Sequence, residues 1–263
     1  MMDARELLAV AEAVCDDAET MFIAGVGSDP AAMKDPGDFA TEVDLAIEAY
    51  LRQSLTQFTG IPVLGEEAGG SYSHDAVWIV DPIDGTANYA AGNPMCAILI
   101  SLLIDDHPVV ALTSMPLLGR RLTAYEGGPV RLNGRPITPL SEADQLVAQV
   151  GFSSVASQVR SQFPSLLRQG LLAELSATYL RPRITGSVGV DLAFTAQGIF
   201  GGAVSFSPHV WDNAAGVMLI RANGGVATDI EGNEWTPRSI GVVAGTARAH
   251  EAIMSTMDGI LNS

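Results

Sequence analysis

Residues 77–89 read VWIVDPIDGTANY, an apolar run that ends directly in Asp81, Pro82, Ile83, Asp84, Gly85 and Thr86. Two carboxylates at the end of a strand repel one another unless cations lie between them, and strand ends are where layered α/β folds bind ligands. Hard cations such as Mg²⁺ take oxygen ligands, backbone carbonyls included, in octahedral array. Asp81, Asp84 and the carbonyl of Ile83 therefore form a candidate metal-binding set. Gly85 permits close approach of the backbone to an anion, and the Thr86 hydroxyl can position water. The same residues also read as an Asp-Gly turn after a strand.

Three other segments carry acids at similar places. Leu64, Gly65, Glu66 and Glu67 end another apolar run, so Glu66 can reach the same cluster or form part of a solvated loop. His209, Val210, Trp211 and Asp212 open a small-residue helix, where Asp212 is either a ligand or an N-cap. Asp38 and the run Thr41, Glu42, Val43, Asp44 precede a helical pattern, and Thr-x-x-Asp is a capping-box signature.

Positioning these residues requires a defined set of elements. Apolar residues recur in steps of three and four from Leu7 to Phe22 and again from Val43 to Phe58, which predicts two amphipathic helices. Short apolar runs at 61–64, 77–80, 96–104, 109–112 and 122–125 follow, bounded by Gly or Pro, and predict strands largely of one sheet. Beyond Pro139 strands near 146–150, 180–184, 203–206 and 240–244 alternate with helices near 157–177, 188–197, 211–223 and from 247. The expectation is an α+β half over residues 1–140 with most of the acids and an α/β half over 141–263 with Asp212 and a substrate pocket, joined across a soft boundary. No internal repeat or long linker separates the two.

The 263 residues, 48% of them hydrophobic and 17% charged, describe a chain able to bury its own core. No apolar stretch reaches the roughly 18 residues of a membrane span. The acidic N-terminus lacks the features of a secretory signal, which predicts a cytoplasmic protein. Cys15 and Cys96 are the only cysteines and suggest neither a disulfide framework nor a thiolate metal site. A net charge of −16 disfavours nucleic acid and anionic membranes as partners. It also leaves bound cations as the economical source of positive charge for handling phosphate.

Taken in order, KDPGDFATEVD, GEE, WIVDPIDGTANY, GSVGVDLAFTAQG and WDNAAG followed by GGVATD closely resemble the inositol monophosphatase family of lithium-sensitive, Mg²⁺-dependent phosphatases over nearly the whole chain. The resemblance implies a layered αβαβα sandwich, a homodimer and two or three Mg²⁺ ions per site. By the same resemblance Glu66, Asp81 and the Ile83 carbonyl match one metal position, Asp81, Asp84 and Asp212 a second, and Glu66 also faces a third. Thr86 and Asp44 match the pair that orients and deprotonates water, with Glu66 beside them. Asp84, Gly85, Thr86, Gly186, Ser187, Val188, Ser205 and Asp212 fall at substrate-contacting positions. The sole lysine, Lys34, stands close to where the family has one.

The implied reaction is hydrolysis of a small phosphate ester, inositol 1-phosphate first, with histidinol phosphate and fructose 1,6-bisphosphate as alternatives. Inositol-selective members carry a glutamate at the position of Ser205, an aspartate is usual at Gly201, and Val188 replaces a smaller residue. Two rivals remain: a dehalogenase-type phosphatase, whose Asp-x-Asp spacing is one residue shorter than that of Asp81 and Asp84, and a non-catalytic metal-binding regulatory partner.

Overall fold

The computed structural model describes residues 2–35, 38–141, 148–157 and 161–261, the side chains of 32–35 and 38 excepted. The side chains of Lys34 and Asp38 thus lie outside the described residues. Helix α1 (Ala4–Ala24) starts at a capping box in which Asp3 and Glu6 each accept the other's amide. Helix α2 (Glu42–Thr59) starts at a second box made by Thr41 and Asp44. Between them an antiparallel hairpin, β1 (Pro30–Asp35) and β2 (Asp38–Thr41), was not expected. Its sequence, rich in Ala and Pro, lacks the alternation that announces a strand.

The first sheet contains β3 (Val63–Gly65), β4 (Ala76–Asp84), β5 (Ala97–Ile104), β6 (His107–Met115), β7 (Arg120–Tyr125), β8 (Arg131–Leu132) and β9 (Arg135–Pro136), side by side in chain order. Only the β3–β4 pair is parallel. A short helix, α3 (Thr86–Ala90), leaves the end of β4.

The second sheet is ordered β11 (Leu180–Arg183), β10 (Ala148–Phe152), β12 (Gly202–Ser205), β14 (Val242–Gly245), β13 (Val226–Thr228). It is mixed: β10 runs parallel to β11 and β12, whereas β14 is antiparallel to both of its neighbours. The helix expected over 157–177 is α4 (Ser165–Ala177), beginning directly after Pro164. A proline disfavours helical backbone at the residue before it, which delays the start. Helices α5 (Val188–Ala196), α6 (Val210–Ala222) and α7 (Ala247–Leu261) complete the fold.

The layers follow from which faces are apolar. Helices α1 and α2 cover the outer face of the first sheet around Leu51, Trp78 and Ile98, and α4 and α7 cover the outer face of the second around Leu171 and Ile253. Helices α5 and α6 lie between the sheets, and one core joins Leu99 and Leu122 of the first half to Leu192, Val217 and Ala244 of the second. The arrangement is the αβαβα sandwich that the sequence predicted. Among the described residues no helix is long and apolar enough to cross a membrane.

Because Leu51 is fully buried between α1 and the first sheet, Leu51→Ala should destabilise the protein by about 2–5 kcal/mol. Urea unfolding checks this as a lower midpoint at unchanged m-value.

Candidate active site

The pairing of β4 with β5 explains how two acids three residues apart share one face. Asp81 pairs with Leu99 and Asp84 with Ala97, so three steps along β4 oppose two along β5. Residues an odd number apart in a regular strand point to opposite faces, and the extra residue of this bulge restores both acids to the same one. Pro82, which has no amide hydrogen for the ladder, sits inside the bulge, and Asp81 Oδ1 accepts from the Ile83 amide at 3.0 Å.

Both acids border a cavity of about 280 Å³ walled also by Glu66, Ile83, Gly85, Thr86, Trp211 and Asp212. Glu66 directly follows β3, and Asp212 is the third residue of α6. His209, not Asp212, occupies the N-cap position, so capping does not account for the acid there. Asp44 and Thr86 meet at the cavity's edge: the Thr86 hydroxyl faces Asp44 Oδ1 at 3.4 Å and the Ile83 carbonyl at 3.0 Å. Asp44 also caps α2, accepting from the Thr41 amide at 2.8 Å and the Thr41 hydroxyl at 2.5 Å. Burial raises its pKa, and the Thr41 hydrogen bonds offset part of the rise.

Asp84 is the best-solvated acid by protein groups. Its carboxylate accepts from the Ser187 hydroxyl, the Val188 amide at 3.2 Å and the Gly189 amide at 2.8 Å, all at the start of α5. Ser187 and Val188, expected to contact substrate, thus turn these donors to Asp84, although both also wall the adjoining cavity. Asp81 is less fortunate. Burial drives its pKa well up, and the charges of Glu66, Asp84 and Asp212 add to the rise.

A buried carboxyl set among like charges needs a proton or a cation beside it. Four carboxylates and the Ile83 carbonyl constitute the all-oxygen donor set that a hard divalent ion takes. The residues therefore fit Mg²⁺. Among the described residues no three acids, His or Cys converge on one ion position as they stand, in keeping with an Asp84 carboxylate that is turned toward α5.

A second cavity of about 490 Å³ shares Asp84, Gly186, His209 and Asp212 with the first. Its further walls are Ser153, Ser154, Ser161, Gln162, Arg168, Phe206 and Ser207. Ser205 walls neither cavity: it ends β12, is 1% exposed, and its hydroxyl accepts from the Ser207 amide at 3.2 Å. Asp191 is buried against Thr185.

Sequence reasoning missed Arg168, which is 6% exposed and stacks 4.6 Å from the Phe206 ring centroid. It lies within an amphipathic pattern where an arginine reads as solvent-facing. Asn88 was missed too. Its amide donates to the carbonyls of Met95 at 2.6 Å and Thr185 at 2.8 Å, tying the turn after β4 to the approach of α5.

A bulged strand carrying paired acids, set against the N-termini of two sandwiched helices in a five-layer fold, defines the class of layered phosphoesterase-like proteins. Within that class the chain belongs to the inositol monophosphatase family, whose model matches residues 3–261. It is 48% identical over 255 residues to the probable inositol 1-monophosphatase ImpA of Mycobacterium tuberculosis, covering 97% of this chain and 94% of that one. The solved structure of the extragenic suppressor protein SuhB of Bartonella henselae is similar at a TM-score of 0.86 and 23% identity, over 95% of this chain and 97% of that one. A solved SaIMPase-II with inositol monophosphate bound is similar at a TM-score of 0.79 and 20% identity, over 97% and 94%.

The junction of α5 with β4 admits no side chain at Gly189, where a Cβ would lie 2.5 Å from Leu99 Cδ2 and 2.9 Å from Asp84 Oδ2. Gly189→Ala should therefore push α5 away from Asp84, at a cost of about 1–3 kcal/mol. A lowered Tm, read by calorimetry, checks it.

Proposed function

We propose that this protein is a Mg²⁺-dependent phosphomonoesterase that hydrolyses a small polyol phosphate, with inositol 1-phosphate the first candidate. The observation that carries the reading is one cavity walled by Glu66, Asp81, the bulged Ile83, Asp84 and Asp212, with Thr86 beside them. No lysine or arginine is among the described residues walling that cavity. The name of the mycobacterial relative supports the substrate assignment.

Glu66, Asp81, the Ile83 carbonyl, Asp84 and Asp212 are the groups that would hold two or three ions. When bound, these supply Lewis-acid neutralisation of charge on the phosphate and lower the pKa of water. The chain's own residues supply the rest. Thr86 orients the attacking water through its hydroxyl, and Asp44, made more basic by burial, takes up the proton. The amides of Gly85 and Thr86 are assigned to phosphate oxygens. The larger cavity receives the alcohol, with Gly186 and Asp212 at the boundary. The family resemblance further implies a homodimer and inhibition by Li⁺ at the position of Asp81, Asp84 and Asp212.

Asp81→Asn and Asp212→Asn should each lower kcat/KM by at least about 100-fold, since the lost charge stabilisation amounts to several kcal/mol. Thr86→Ala should cost less. Chelation should abolish phosphate release and Mg²⁺ restore it. Full turnover by chelated protein would show the metal reading to be wrong.

One observation favours a second substrate within the same chemistry. Burial lowers the pKa of Arg168, and among the described residues no acid offsets it. Its guanidinium is held by the carbonyls of Phe163 at 2.8 Å and Ala156 at 2.7 Å beside the alcohol cavity. An unneutralised cation there suits an alcohol bearing a second anionic group, as in fructose 1,6-bisphosphate. Charge-assisted hydrogen bonds are worth about 1.5–3 kcal/mol. Arg168→Gln should therefore lower the kcat/KM ratio of fructose 1,6-bisphosphate over inositol 1-phosphate by about 10- to 100-fold. An unchanged ratio leaves the inositol ester as the better assignment.

A further inference from the structure

Helix α2 presents two buried carboxylates one turn apart, Asp44 and Glu48. Asp44 meets Thr86, whereas Glu48 has no part in the reaction proposed above. It is nevertheless only 1% exposed, and its hydrogen bonds are specific. Its Oε2 accepts from the Glu67 amide at 2.6 Å, and its Oε1 accepts from the Ala68 amide and from Arg52 Nη2, both at 2.9 Å. Arg52, the next turn along α2, donates Nη1 to the Val63 carbonyl at 2.6 Å and Nη2 to the Gly69 carbonyl at 2.7 Å.

The hydrogen bonds of the pair therefore run either between the two side chains or to residues 63–69. That loop is closed on itself by the Gly65 amide, which donates to the Gly69 carbonyl at 3.0 Å. The Glu48 carboxylate fills the space that a side chain at Gly65 would need, since a Cβ there would lie 2.3 Å from Glu48 Cδ. The residue enclosed between Gly65 and Glu67 is Glu66. Its backbone is fixed on the strand side by Arg52 and on the loop side by Glu48, and it walls the same cavity as Asp81.

We propose that Glu48 and Arg52 are positioning residues that set the divalent-cation affinity of the site by fixing the backbone around Glu66. The proposal rests on the metal reading of the preceding section. Charge-assisted hydrogen bonds from a buried carboxylate to two consecutive amides are strong and directional, and groups that orient a ligating carboxylate change metal affinity by about 10- to 100-fold when removed. One face of α2 thus aligns both the Thr86–Asp44 pair and the Glu66 ligand, placing the two parts of the site on a common rigid support.

The test uses the full-length protein with Glu48→Ala, Glu48→Gln and Arg52→Met. Mg²⁺ affinity is read by calorimetric titration and by the Mg²⁺-dependent rise in Tm, alongside kcat and KM for inositol 1-phosphate. Glu48→Ala should weaken Mg²⁺ binding about ten-fold or more, with KM at saturating Mg²⁺ within about two-fold of wild type. Glu48→Gln, which retains one acceptor oxygen, should show a smaller loss. Should Glu48→Ala fail to fold, Glu48→Gln and Arg52→Met still carry the expected loss of Mg²⁺ affinity. A folded variant with a lower Tm but wild-type Mg²⁺ affinity would overturn the positioning role and leave the pair a purely structural brace. Absence of any Mg²⁺ response in the wild-type protein would instead overturn the metal reading, and this proposal with it.

Discussion

Four carboxylates cannot line one pocket unless something offsets their mutual repulsion, and much of the surrounding architecture follows from that constraint. Each acid is given a different measure of compensation. Asp84 receives three donors from the start of α5, where the helix dipole adds to the hydrogen bonds. Asp44 receives the Thr41 hydroxyl and amide. Asp81 receives one amide, while burial and the charges of Glu66, Asp84 and Asp212 raise its pKa well above the usual carboxylate range. A buried carboxyl set among like charges is where a cation gains by binding.

Structural and chemical roles coincide at several of these residues. The Thr41–Asp44 box starts α2 and at the same time brings Asp44 Oδ1 to the Thr86 hydroxyl. The Ser187 hydroxyl accepts from the Val190 amide as the cap of α5 while donating to Asp84. A capping signature and a site residue are therefore not competing readings of one position. A helix start already supplies oriented amides and a fixed backbone, and a site built on it inherits both.

The share of this legible in sequence follows how local each interaction is. The bulged strand end, the acid after β3 and the acid opening α6 each lie within a few contiguous residues, so DPIDGT, GEE and WDNAAG expose them directly. Most helices and strands were legible because apolar periodicity marks them independently of their partners, whereas their stacking into five layers came from the family resemblance. What escaped depends on contacts distant in the chain. Ser205 was placed in the pocket by the family resemblance, yet the pairing of β12 with β14 buries it and leaves Phe206 and Ser207 as wall residues. Glu48 and Arg52 read as an ordinary i,i+4 pair on a helix surface. Only the packing of α2 over β3 makes them a clamp. The β1–β2 hairpin has no alternation to announce it.

The two adjoining cavities differ in how they are built, and the difference separates chemistry from selectivity. Walls of the smaller come mainly from strand ends and helix starts fixed by the backbone, with acids at every side. Walls of the larger come mostly from loop residues at 153–156, 161–162 and 206–209 and from one buried arginine, and the described residues it does not share with the smaller cavity include no acid. A change in the loops alters what fits without disturbing the carboxylates, whereas a change in the strand end disturbs everything. Asp84, Gly186, His209 and Asp212 belong to both cavities. On the proposed reading the ester oxygen must lie among them, since it is the one atom that touches phosphate and alcohol alike. His209 stands there with its ring stacked 4.6 Å from that of Trp211, and Asn213 holds the carbonyls of Ser207 and His209 at 3.0 and 2.8 Å. The boundary is therefore tied to the backbone by side-chain hydrogen bonds, as the acids are, whereas the far wall is built from loop residues.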